Sequence, residues 1–366
     1  MATPTPALPP PPGVTSDFVN PPSLVKEMNI AIAIAVPLIM IFFGLRTYVR
    51  IFIRRTWTFE DWLALTAWVG TVSFAGVGAA TMAHNGGKHG WDITPAQAQE
   101  ASYWFNVASI HYGITICVAK LSVLWLYRRI FSPQRATPFD ITIVFLIVLL
   151  IMFYTAINIV KIWECVPREK ILNDKIPGSC INTPILLNTS GIFNTVTDLI
   201  ILLLPVRAVW GLNMSPREKV AVVLVFTFGL SAPAFSLAGT IVRLQGTNNP
   251  DKTWVQPDII MWGLAELTTG ILCVSFPETG LLWKKKEHPG PTASILNGRY
   301  RFKPPLSRRK QGTGFSTVMS RSTRQLDSET HIELEEADVH GNDTQQEDRG
   351  DSHHYKSNGK FTSGSR

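Results

Sequence analysis

The chain has 366 residues, of which 46% are hydrophobic, and a formal net charge of +7. Its mean hydropathy of +0.14 is modest because long apolar stretches are averaged with a polar carboxyl-terminal part. A positive charge is compatible with nucleic acid binding, but most basic residues stand at the ends of the apolar stretches or just beyond the last one, so nucleic acid is not an expected partner. No soluble domain of useful size remains outside these stretches.

The first 28 residues are rich in proline and short of charge. They lack the basic and apolar regions of a cleavable signal peptide, so we expect the first apolar stretch to act as an uncleaved signal anchor. Residues 1–28 are then a short, extended, extracellular segment.

Seven long apolar stretches follow between residues 29 and 283. Each has about the 17 to 25 residues that a helix needs to cross a ~30 Å hydrocarbon layer. Since lipid cannot satisfy backbone hydrogen bonds, each stretch should be a helix. We therefore predict an all-α fold, a seven-transmembrane helix bundle. The expected spans are Asn29–Val49, Trp62–Ala83, Ala101–Tyr127, Phe139–Val160, Ile185–Val206, Val220–Val242 and Ile259–Trp283.

The basic residues between the spans indicate an orientation in the membrane. Thirteen lie on the side that includes Arg46, Arg50, Arg54 and the carboxyl terminus, against eight on the opposite side, which includes Lys161. The bias places the first side in the cytoplasm and the amino terminus outside, in a multi-pass protein that we assign to the plasma membrane. The connection between spans five and six has only about a dozen residues.

Two of the four cysteines, Cys165 and Cys180, flank the loop between spans four and five. On an oxidising outer side they can form a disulfide worth about 3 kcal/mol, although two free loop thiols are the alternative. No further ligand stands near them at metal-site spacing. Asn188 begins a glycosylation sequon, but it is too close to span five for us to expect glycosylation.

Polar and ionisable residues inside the spans are costly to insert and need an explanation. Lys120 in span three is expected to pair with either Asp198 in span five or Glu266 in span seven, with Asn194 on the same face as Asp198. Such a pair either ties helices together or acts as a switch or an ion path. Asp61 is interpreted as a helix-start acid that the helix dipole favours.

Aromatic and histidine side chains mark the outer half of the bundle. His111, Tyr112 and Trp104 are candidate ligand contacts, with a core histidine and interfacial aromatic anchoring as the alternatives. Retinal is not expected, because span seven has no lysine for a Schiff base. We expect no cofactor, no metal and no enzymatic activity, since no catalytic set stands at useful spacing in the spans.

Beyond the last span, residues 284–366 form a low-complexity tail that is first basic and then acidic. Lys284, Lys285 and Lys286 next to the span should attract anionic lipid of the inner leaflet. The acidic end, with few aromatic residues, is expected to be disordered.

Several segments together resemble the fungal rhodopsin-domain proteins, a family of seven-helix, GPCR-like membrane proteins of filamentous fungi. They are FEDWLAL, AKLSVLWLYRRIF, the long segment from NTVTDLIILLLP to VVLVFTFGL, and IVRL, with the loop cysteines and Glu266. The resemblance runs from about Asn29 to Trp283. It implies a receptor-like fold without a retinal requirement, in a family of which some members are implicated in surface or nutrient sensing.

Two functions remain after these steps. A receptor-like sensor would bind an unknown ligand on the outer side and contact a G protein or another cytoplasmic signalling partner. A small-solute or ion transporter or channel would use Lys120, Asp198 and Glu266 as a polar path. We favour the sensor, mostly on the resemblance to the family. The sequence also lacks the internal inverted repeat that is typical of transporters.

Overall fold

The computed structural model of the protein describes residues 5–132, 137–171, 176–210 and 216–284, without the side chains of residues 207–228 and 279–284. Within these residues the chain folds into seven long helices and one short hairpin. The helices are α1 (Val25–Tyr48, continued by a π-helical turn, Val49–Arg54), α2 (Phe59–Ala83), α3 (Pro95–Phe131), α4 (Pro138–Ile162), α5 (Thr183–Trp210), α6 (Pro216–Thr247) and α7 (Lys252–Lys284). The antiparallel strands β1 (Cys165–Val166) and β2 (Ser179–Cys180) lie between α4 and α5.

Six helical segments of the described chain, those of α1 to α5 and α7, are long and apolar enough to cross a membrane. The expected sixth span corresponds to α6, whose side chains are described only from residue 229 onward. The predicted helical fold is confirmed, while the count of seven membrane crossings stays a prediction. The predicted carboxyl-terminal tail lies outside the described residues, apart from Lys284, the last residue of α7.

The bundle has its core around α3, which packs against α2, α4, α5 and α7. Leu124 of α3, Leu150 of α4 and Leu267 of α7 are fully buried there. On the opposite face of α4, Phe145 and Met152 remain 64% and 68% exposed. Apolar side chains outside and buried charges inside are typical of helices that face lipid.

The bundle has two ends, a disulfide end and an arginine end. The disulfide end contains the start of α1, the α2–α3 loop and the hairpin in which Cys165 and Cys180 form a disulfide. This bond agrees with the prediction from the sequence. The arginine end contains the π-helical turn after α1, the starts of α2, α4 and α6, and the ends of α3, α5 and α7.

The segment before α1 contacts the α2–α3 loop. The amides of Ala7 and Leu8 donate to the carbonyl oxygens of Ile93 (2.9 Å) and Gly90 (3.1 Å) in the α2–α3 loop. Asp17 is held there too, because its amide donates to Asp92 at 2.8 Å. The backbone N–H groups of Asn20 and Val19 donate to the Asp17 carboxylate, which lowers its pKa. The segment therefore lies across the disulfide end of the bundle.

The connection between α5 and α6 is shorter than the dozen residues expected. The helix α5 extends to Trp210 and α6 begins at Pro216, so helical structure continues beyond the apolar stretches. An apolar run identifies only the part of a helix that crosses the hydrocarbon layer. The polar helical turns at its ends are not detected from hydropathy.

Candidate ligand site and polar network

A small cavity of about 20 Å³ opens between the helices near the disulfide end. Its walls are mostly apolar and aromatic, but two cations, Lys161 of α4 and Arg243 of α6, also line it. Both are buried, at 4% and 7% exposure. The other described residues of the wall are Phe74, Phe105, Ala108, Ser109, Tyr112, Leu187, Ser190, Ile259 and Ile260.

Of the three predicted ligand contacts, Tyr112 alone is among the described residues that line this cavity. The ring of His111 faces α2, where its Nε2 lies 2.9 Å from Ser73 Oγ and 2.9 Å from the carbonyl oxygen of Gly70. Trp104 stacks on the ring of His84 with 4.8 Å between ring centroids. The contacts of His111 fit its alternative interpretation, a satisfied core histidine.

Tyr112, which lines the cavity, belongs to a hydrogen-bond network that joins five helices. Tyr112 of α3 donates its hydroxyl proton to Glu266 Oε2 of α7 at 2.6 Å. Asn194 of α5 donates to Glu266 Oε1 at 2.6 Å and to Ser236 of α6 at 2.8 Å. Tyr154 of α4 donates to Asn194 Oδ1 at 2.6 Å. Such bonds satisfy polar groups that lipid-exposed helices could not leave unpaired.

Lys120 lies next to this network and forms an ion pair with Asp198, one of the two acids that the sequence had left open. Its Nζ lies 3.0 Å from Asp198 Oδ1. The other two protons go to the carbonyl oxygen of Asn194 (2.9 Å) and to Thr197 Oγ1 (2.8 Å). All three donors of the ammonium group are thus used on α5. Glu266 instead bonds Tyr112 and Asn194.

A second cavity, of about 50 Å³, lies on the arginine side of the network. Lys120, Asp198 and Glu266 line it together with mainly apolar residues of α3, α5, α6 and α7. The network therefore separates two cavities, and Glu266 contributes both to the network and to the second cavity.

The arginine end has a cluster of buried charges that sequence reasoning missed. Arg46 and Arg50 are each 1% exposed and pair with Glu60 and Asp61 at the start of α2. Asp61 is therefore more than a helix-start acid: it lies 2.8 Å from Arg46 and 3.1 Å from Arg50. Because Arg46 and Arg50 are four residues apart, they share one helix face, a signal that the sequence did contain.

The same cluster reaches α3 and α7. Arg50 and Arg54 lie 3.0 Å and 3.1 Å from the carboxylate of Glu278. Arg129 of α3 lies 2.7 Å from Glu60. Arg46, Arg50 and Arg54, counted as basic residues of the first loop, thus join α1 and the π-helical turn after it to α2 and α7 through ion pairs. The orientation in the membrane stays a prediction.

Lys161 was likewise counted as a loop base, although it lies inside α4 and faces the cavity. Lys285 and Lys286, the predicted lipid contacts, lie outside the described residues, and Lys284 ends α7. Asn188 lies within α5, where its amide donates to Thr247 of α6 at 2.8 Å.

These features define a helical membrane protein with a cavity at one end and a polar network beneath it. The profile of the fungal rhodopsin domain matches residues 45–285, and the chain belongs to that family. This confirms the resemblance drawn from the sequence.

Several fungal proteins are similar to this chain in sequence. A SAT4 family membrane protein of Emericella nidulans is 31% identical over 61% of this chain and 56% of its own length. The chain thus spans little more than half of that relative. The Fugralins biosynthesis cluster protein 2 of Gibberella zeae is 25% identical over 80% of this chain and 76% of its own. Receptor GIN3 of Arthrobotrys oligospora is 25% identical over 67% of this chain and 61% of its own.

Proposed function

We propose that this fungal rhodopsin-domain protein is a receptor-like sensor in the plasma membrane, with seven crossings. The observation that carries the proposal is the position of Tyr112. Tyr112 lines the disulfide-side cavity, and its hydroxyl group donates a hydrogen bond to Glu266. Glu266 belongs to the network that joins five helices. A ligand that moves Tyr112 would change the hydrogen bonds between α3, α5 and α7 directly.

The proposed sensor faces outward with its disulfide end, since structural disulfides persist in oxidising compartments. The carboxyl terminus and the arginine end then face the cytoplasm, where a G protein or another signalling partner and anionic lipid would meet them. Receptor GIN3, a relative by sequence, is named as a receptor, which favours this class of function. The short α5–α6 connection limits the surface for a G protein, so a partner that contacts helix ends fits better.

The sensor is proposed to work without retinal. Between its first and last residues, Lys252 and Lys284, α7 has no lysine, and Glu266 stands at its middle. No retinal Schiff base can therefore form in the interior of this helix, where the span lies. The signal is instead expected to be a molecule that enters the disulfide-side cavity.

A transporter or channel is the second candidate. The second cavity favours it, because Lys120, Asp198 and Glu266 line that space directly below the network. Opening the network would join the two cavities into a polar path.

One experiment separates the two functions. A strain that lacks the protein is compared with the same strain carrying the wild type or Tyr112→Phe, and cAMP and calcium responses to surface and nutrient cues are recorded. The purified protein is tested for solute and proton flux in vesicles. We expect the wild type alone to restore the responses, with no flux. Flux in vesicles without any partner would overturn the sensor.

A further inference from the structure

We propose that the disulfide-side cavity binds the carboxylate group of a small apolar acid between Lys161 and Arg243. This inference rests on the proposed function, since it names the chemical class of the ligand that the sensor would bind. It starts from two buried cations that share one small cavity.

Arg243 is a buried guanidinium group without an anionic partner among the described residues. It takes part in no described ion pair, and its described ring contact is with Tyr112, whose centroid lies 5.5 Å from Cζ. Arginine has five N–H donors and stays charged in proteins, so burial without acceptors is costly. Its guanidinium group also lies against Gly191, where an added Cβ would come within 3.1 Å of a guanidinium nitrogen.

Lys161 is only partly satisfied. Its Nζ donates to the carbonyl oxygen of Ser109 at 3.2 Å, which uses one of three protons. The nearby carboxylate of Glu164 is engaged elsewhere, with Asn106 and Thr183. Two cations therefore face the cavity, and no carboxylate of the described chain pairs with either of them.

Helix dipoles explain part of this arrangement. Lys161 lies in the last turn of α4, where the dipole favours a cation. The dipole lowers the cost of burying the charge but gives the remaining N–H groups no acceptor. An anion in the cavity would supply both charge and acceptors.

The chemistry of the walls selects a carboxylate. The planar guanidinium group binds a carboxylate through two parallel hydrogen bonds. Phe74, Phe105 and Ile260 surround the cations and suit an apolar body, whereas a phosphate dianion would lose more hydration. The volume of about 20 Å³ has room for little more than one water, so the apolar side chains of the wall must move apart when the acid enters.

The test uses the full chain, purified in lipid nanodiscs, and its thermal unfolding. Benzoate is the probe, with benzamide as the neutral analogue and inorganic phosphate as the alternative anion. We expect benzoate to raise Tm in a concentration-dependent manner, while benzamide and phosphate leave it unchanged. Equal stabilisation by benzamide would refute an anion site, and stabilisation by phosphate alone would refute the carboxylate class.

Variants locate the site. Arg243→Gln and Lys161→Gln should each raise the Kd for benzoate at least about tenfold, and Arg243→Lys should retain part of the affinity. The exposed Arg168→Gln is the matched control and should bind like the wild type. Without benzoate, Arg243→Gln should unfold no earlier than the wild type, because it removes an unpaired buried charge. Unchanged affinity in both glutamine variants would overturn the proposal. If Arg243→Gln does not fold, the affinity of Lys161→Gln for benzoate and the comparison of benzoate with benzamide test the proposal.

The outcome is separable from the sensor function. Benzoate binding without any cellular response would leave the anion site intact and count against the sensor. A cellular response in which neither benzoate nor another small carboxylate binds would leave the sensor intact and refute the anion site.

Discussion

The ion pair between Lys120 and Asp198 gives the sharpest prediction on the stability of the bundle. Lys120→Met removes the ammonium group and leaves the Asp198 carboxylate, 8% exposed, without its cation. Asp198→Asn makes the converse change. The double variant removes both charges and leaves a polar amide beside an apolar side chain.

The expected magnitude follows from the geometry. At 3.0 Å, Coulomb attraction between unit charges is about 5 to 6 kcal/mol with an effective dielectric constant of about 20, and desolvation opposes it. Breaking a buried pair by removing one partner costs about 3 to 5 kcal/mol. We therefore expect Lys120→Met to lower the free energy of unfolding by about that amount. The double variant should lose less than the sum of the two single variants, by about 2 kcal/mol or more.

Exchanging the two charges should not restore stability. Lys120 also donates to the carbonyl oxygen of Asn194 and to Thr197. An aspartate at position 120 would face that carbonyl oxygen without a proton to donate, so the site is specific for a cation on α3.

The assay is unfolding of the purified protein in mixed micelles by increasing SDS, followed by circular dichroism. Lys26→Met, an exposed lysine of α1, is the matched control and should stay within about 0.5 kcal/mol of the wild type. The pair is refuted as a stabilising unit if Lys120→Met is as stable as this control, or if the two single effects add in the double variant.

Three further predictions concern other contacts. Replacing both loop cysteines by serine should lower the free energy of unfolding by about 3 kcal/mol, because the bridge closes a separation of 15 residues. A reductant should lower the free energy of unfolding of the wild type but not that of the variant, and equal changes in both proteins would contradict this prediction. Tyr112→Phe should lower the free energy of unfolding by about 1 to 3 kcal/mol, since Glu266 loses a hydrogen-bond donor at 2.6 Å. Unfolding by SDS that is unchanged from the wild type would contradict this prediction. Glu278→Gln should lower the free energy of unfolding by about 3 kcal/mol or more, because Arg50 and Arg54 lose their buried anionic partner. The exposed Glu169→Gln should leave the free energy of unfolding unchanged. Equal stability of the two variants would show that Glu278 does not stabilise the bundle through these ion pairs.

Much of the fold could be predicted because the bilayer imposes a simple rule on composition. Apolar runs of sufficient length had to be helices, and they fell inside the observed helices α1 to α7. The same rule concealed the helix ends. Lys161 and Arg54 belong to turns where polar residues continue the helix, and an apolar search stops before them.

The site was predictable only in part, because hydropathy does not report how a helix is rotated. The sequence placed Lys120, Asp198 and Glu266 within the bundle but could not choose the partner of Lys120. That choice depends on which face of α5 turns toward α3, where Asn194 and Thr197 supply the remaining acceptors. The sequence shows Arg243 near the end of its helix. That no described carboxylate pairs with it could be seen only from the contacts in the structure.

The two acids of α7 give this helix a particular place in the proposed sensor. Glu266 accepts a hydrogen bond from Tyr112, which lines the disulfide-side cavity, and Glu278 holds the arginines of the other end. They are twelve residues apart, about 18 Å along a helix at 1.5 Å per residue. Movement of α7 as one rigid element would therefore alter both sets of contacts. Such an element, with different contacts in two arrangements, is what coupling between distant sites requires.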